Sequence, residues 1–174
     1  MDETVPFGSG EYWILLGLLA FGRGMDFFST WVATPDLRLE GNPLARRLGW
    51  KWGGGVNVLL CGLAAVSPLG AIVIATASLL VAAHNFQNAW LMRSLGGDNY
   101  NLWHFQRLRQ SSLPLYIGCL LGQTSLVGGV GGALAYFGDP HLVPVAIGWG
   151  IVCYAIAVTF YTLLSLWRSR RSFS

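Results

Sequence analysis

Between Lys51 and Arg93 lie 41 residues, Trp52 to Met92, without an Asp, Glu, Lys or Arg. As one α-helix this stretch would run about 60 Å at 1.5 Å per residue, twice the thickness of a bilayer core. It must fold back on itself. Ser67-Pro68-Leu69-Gly70 supplies the turn chemistry, because proline removes a backbone donor and glycine tolerates a positive φ. A short helix at about 53 to 67 and a longer one at about 69 to 93 are expected.

Such a stretch belongs in lipid. Only 11% of the 174 residues are charged, 53% are apolar and the mean hydropathy is +0.51, whereas charged residues make up about a quarter of a soluble domain. Two further uncharged stretches, Gln110 to Gly138 and Leu142 to Trp167, each suit one span, at about 112 to 137 and 142 to 167. A first span at about 12 to 33 is interrupted by Arg23 and Asp26. The expected fold is all-α: a single transmembrane domain over residues 1 to 174, a bundle of about five membrane helices.

Five spans fix an orientation. With the N-terminus outside and the C-terminus cytoplasmic, the inner segments hold Arg38, Arg46, Arg47, Lys51, Arg93, Arg107, Arg109, Arg168, Arg170 and Arg171, ten of the eleven basic residues. The eleventh, Arg23, lies within the first span. Basic residues accumulate in short cytoplasmic loops, which supports this orientation; a bacterial or archaeal inner membrane is the expected location. The first eleven residues hold Asp2, Glu3 and Glu11 but no Lys or Arg, so no cleaved secretory signal is expected.

Two inner segments carry helical signals. Asn42 caps Pro43-Leu44-Ala45-Arg46-Arg47-Leu48, with proline at the first helical position, and a short helix at the interface is expected. Gly96 to Gln110 mixes Trp103, Phe105 and Leu108 with Arg107 and Arg109, the pattern of an amphipathic segment at headgroup level. Trp13, Trp50, Trp90 and Trp167 sit near span ends, as in aromatic belts. In the fourth span Gly118, Gly122, Ser125, Gly129 and Gly132 follow steps of three or four and form a smooth face for close helix packing. Its partner is a helix of the same chain or of another.

Several function classes are excluded. Cys61, Cys119 and Cys153 lie in apolar segments without CxxC spacing, so neither a disulfide framework nor a zinc ribbon is encoded. The basic residues are scattered over several connections, which argues against nucleic acid. No phosphate-cradling GxxxxGK[ST] loop or GxSxG elbow occurs, so nucleotide hydrolysis and serine hydrolase chemistry are not expected. Only His84 lies inside a span, while His104 and His141 are in connections, which argues against haem. Paired repeats of a carrier are not visible.

Chemistry is expected where polarity enters the spans. A charge in a membrane helix costs several kcal/mol unless paired or hydrated. Arg23 and Asp26, three residues apart, share a helix face and can neutralise each other. Ser29 and Thr30 lie one turn further on, Glu40 and Asn42 follow in the loop, and His84, Asn85 and Asn88 cluster towards the inner end of the third span. Asp26 and Asn85 fall at matching depth, so adjacent helices would join these residues in one polar pocket. With Asp26, Glu40 and His84 as ligands the pocket would suit a divalent cation; the competing reading is a hydrogen-bonded network that fixes helix register, with Asn42 as a cap.

Asp26-Phe27-Phe28-Ser29-Thr30 followed by Glu40-Gly41-Asn42-Pro43 resembles the Asp-x-x-Ser/Thr-Thr and Glu-x-Asn-Pro pattern of a family of small, uncharacterised prokaryotic membrane proteins. The likeness covers about residues 18 to 50 and implies that Asp26, Glu40 and Asn42 act as a linked set, without implying an activity. Three functions are expected in this order: a non-catalytic accessory or scaffold subunit packing against other membrane proteins or itself among membrane lipids; a small membrane enzyme, or a protein binding a metal or a lipid headgroup at the cytoplasmic side; and a transporter. In the second, Asp26, Glu40 and His84 would serve as metal ligands or acid/base groups, and Arg23 would hold an anionic headgroup.

Overall fold

A computed structural model describes residues 4–37, 43–138 and 142–171, and among them there are helices and no strand. The order is α1 (Gly10–Ala33), α2 (Pro43–Ala64), α3 (Pro68–Leu95), α4 (Gly97–Gln110), α5 (Leu113–Phe137) and α6 (Leu142–Arg171). Capping chemistry sets several boundaries. The Ser9 hydroxyl accepts from the Tyr12 amide to start α1, and Ser67 accepts from the Gly70 amide with Pro68 behind it to start α3. The expected turn at Ser67 to Gly70 is thus the cap and first turn of α3, and the preceding helix ends at Ala64.

α2 starts at Pro43, ten residues before the expected span, and is kinked at Gly49, whose φ of 64° and ψ of −174° break the helical geometry. A short helical piece therefore stands ahead of this kink, at the position expected after Asn42, which itself lies outside the described residues. The expected amphipathic segment from Gly96 forms α4, set off from α3 by Gly96 at φ 75°.

Three helices are long and apolar enough to cross a membrane: Pro68–Leu95, Leu113–Phe137 and Leu142–Trp167 of α6. This supports an integral membrane protein, with fewer qualifying helices than the five expected spans. The difference has a physical source, since α1 carries Arg23 and Asp26 at mid-length and α2 carries Arg46, Arg47 and Lys51 around its kink.

α3 is the hub, packing on α1 along one side and α6 along another, while α6 pairs with α5. α1 and α3 run parallel, because Gly22 meets Ala75, Arg23 bonds Ser78 and Thr30 bonds Asn85 in matching order. The seam is built from small residues. Buried Tyr12, Leu15, Leu19, Gly22, Ser29 and Ala33 of α1 face buried Ala71, Ala75, Ser78, Ala82 and Ala89 of α3. Steps of three, four and seven along both helices follow the 3.5-residue repeat of left-handed supercoiled packing. A Cβ on Gly22 would come to 3.1 Å from the Ala75 backbone, so glycine here permits the close approach. The second part of α2 lies antiparallel along α1, with the Tyr12 hydroxyl bonded to the Gly62 carbonyl at 3.2 Å and Phe27 packed against Gly53. The Val5 amide donates to the Val66 carbonyl at 2.8 Å and brings the N-terminal segment to the α2–α3 turn.

α5 and α6 also approach at backbone distance, through Gly131 and Gly148. A Cβ on Gly148 would lie 2.5 Å from the Gly131 carbonyl and the Ala135 amide. Gly150 seats α6 on Thr76 and Val73 of α3 in the same way. The glycine face expected from the sequence takes no part in these contacts. Gly118, Gly122 and Gly129 are exposed, Gly132 is half-exposed, and among the described residues a Cβ on any of the four would meet nothing within 4 Å; Ser125 is exposed too.

Candidate functional site: a polar layer joining three helices

Arg23 projects from α1 at the level where α2 and α3 both come close. Its Nε donates to Asn57 Oδ1 of α2 at 2.6 Å, and its Nη1 donates to Asp26 Oδ2 at 3.0 Å and to Ser78 Oγ of α3 at 3.2 Å. Asn57 is held in the accepting orientation because its amide nitrogen donates to the Gly53 carbonyl at 2.8 Å. The ion pair is only partly accessible, with side-chain exposures of 26% for Arg23 and 17% for Asp26. Cation and carboxylate neutralise each other where an isolated charge would be expensive.

One turn on, a second set bridges α1 and α3. Ser29 is fully buried and donates to the Asp26 carbonyl at 2.8 Å, and Asn85 donates to both Ser29 Oγ and Thr30 Oγ1 at 3.2 Å. Phe28 packs edge-on against Phe86 beside it, with centroids 5.9 Å apart. Among the described residues no buried side-chain polar atom is left without a partner, as the cost of burying an unpaired group requires.

The residues expected in one pocket thus fall into groups. Arg23 joins Asp26, and Asn85 joins Ser29 and Thr30. Asn88 turns back along α3 to donate to the His84 carbonyl at 3.1 Å, and among the described residues the half-buried His84 ring has no hydrogen-bond partner. Glu40 lies outside the described residues, as Asn42 does, so the Asp26, Glu40 and His84 ligand set is placed only at Asp26 and His84. Among the described residues no group of three His, Cys, Asp or Glu side chains stands close enough to hold a metal ion.

Asn57 and Ser78 were not singled out by sequence reasoning. Each is an uncharged polar residue inside the long stretch without charges, and the signal available was their depth relative to Arg23. Chemically, the layer cross-links helices and spends the Asp26 carboxylate on the guanidinium, which opposes its use as a free base.

No family model matches the chain, and no curated protein or solved structure resembles it closely enough to count as a match. The function therefore rests on the molecule's own geometry.

Proposed function

We propose that the chain is a non-catalytic accessory or scaffold subunit that packs within a larger assembly of an inner membrane. One observation carries this reading: among the described residues the smooth face of α5 at Gly118, Gly122, Ser125, Gly129 and Gly132 has no helix packed on it. Small residues allow helices to associate in lipid, where the hydrophobic effect between helices is absent. The polar layer agrees with a structural role, because its groups engage each other. In this reading the bundle has five spans, with α1 and the second part of α2 shielded by neighbours, the N-terminus outside and the C-terminus cytoplasmic. The enzyme or metal-binding reading has weaker support, since Asp26 is held by Arg23.

Native mass spectrometry or a blue-native gel on gently solubilised membranes tests the proposal. The tagged chain is expected in one defined complex, and Gly122→Leu with Gly129→Leu should release it without lowering its own melting temperature. Migration as a lone monomer would overturn the proposal.

A further inference from the structure

The helix directions collect the cations at one end. α1 ends there and α2 begins there, tied by the Trp50 indole donating to the Pro35 carbonyl at 2.8 Å; α3, parallel to α1, ends there and leads into α4. On this end Arg46, Arg47, Lys51, Arg93 and Arg107 are all exposed. Asp36 is the one acidic residue there whose side chain is described, and it is exposed, so the described cations outnumber it five to one. At the opposite end Glu11 is exposed, and no Lys or Arg is present among the described residues.

Apolar side chains are interleaved with the cations. Leu48 follows Arg47, Trp52 follows Lys51 with 75% of its surface exposed, Trp90 precedes Arg93 at 69%, and Leu102 of α4 stands out at 61%. The kink at Gly49 turns the piece with Arg46, Arg47 and Leu48 away from the line of the rest of α2. Cations alternating with indole and leucine on short helical pieces match the boundary between acyl chains and phosphates, where apolar groups enter lipid and cations meet headgroups.

We infer that this end of the bundle is a binding surface for anionic phospholipid headgroups. It selects phosphatidylglycerol-like lipids over zwitterionic ones by charge. This inference rests on the membrane reading and is independent of the subunit reading. Several cations acting together near an anionic leaflet give a preference of at least about tenfold.

The test uses the full chain in nanodiscs of phosphatidylcholine with and without phosphatidylglycerol, reading lipids retained in native mass spectrometry and the melting temperature. Retention of phosphatidylglycerol at least about tenfold above phosphatidylcholine is expected, falling with added salt. The combined Arg46→Gln, Arg47→Gln and Lys51→Gln variant should lose most of this preference while melting normally in phosphatidylcholine. The matching Arg46→Lys and Arg47→Lys variant should keep it, because only charge is read. Equal retention of both lipids, an unchanged preference in the glutamine variant, or tighter binding of a soluble polyanion such as an oligonucleotide would overturn the inference.

Discussion

A guanidinium with partners on three helices responds to substitution in a graded way. Arg23→Leu leaves the Asp26 carboxylate without its cation and strips Asn57 and Ser78 of a donor. Losing one member of a buried pair costs about 3–5 kcal/mol, and partial exposure lowers this to roughly 2 kcal/mol here. A clear drop in melting temperature is expected, whereas Ser78→Ala removes one neutral acceptor and should cost about 1 kcal/mol. Thermal melts of the two variants beside the parent check the order. Equal stability of Arg23→Leu and the parent would mean that the guanidinium is hydrated and contributes nothing to packing. Arg23 and Asp26 were legible in the sequence because charges stand out in an apolar span. Asn57 and Ser78 were not, because one amide or hydroxyl in a membrane helix does not announce its partner until helix order and direction are known.

Between elements, backbone proximity decides. Gly148→Ala drives a methyl into the Gly131 carbonyl and the Ala135 amide, and neither backbone atom can rotate aside as a side chain would. The α5–α6 pair should lose roughly 1–3 kcal/mol, as overpacked contacts do, while Gly129→Ala leaves the isolated chain unaffected; melting curves of the purified variants compare them. The stripe legible in the sequence, with its partner left open between this chain and another, is not the face of α5 that packs within the chain among the described residues. Gly128 and Gly131, which do meet α6, lie one residue away from the expected stripe, and one residue turns a helix face by about 100°. The α1–α3 seam was legible in principle, in the steps of four, three, four and seven from Ala71 to Ala89, but alanine is too ordinary in membrane helices to be noticed.

α4 adds a dependence on pH. His104 stacks on Tyr100 with centroids 5.9 Å apart, and burial pushes its pKa below the ordinary 6.5. On acidification through about 6.5 the unfolded chain takes up a proton that the folded chain resists, so stability falls until the lower folded value is passed. The melting temperature should drop between about pH 7.5 and pH 5.5 in the parent, and by less in His104→Gln.

For the whole molecule, the proposed five-span topology would place the Ser9 end of α1 and the Ser94 end of α3 on opposite sides of the membrane. In a cysteine-free background, Ser9→Cys should react with an impermeant thiol reagent on intact cells, and Ser94→Cys only after permeabilisation. Labelling of both from outside would rule out the orientation. That the chain is helical and apolar was plain from its uncharged stretches, whereas the arrangement of helices was not, because charge position fixes sides and not neighbours. The parallel seating of α3 on α1 carries a further meaning for synthesis. Asn57 is made 34 residues after Arg23, and Ser78 55 residues after it. At 5–20 residues per second the guanidinium waits about 3 to 11 s for its last partner. During that interval α1 is a half-satisfied helix whose last partner is still on the ribosome.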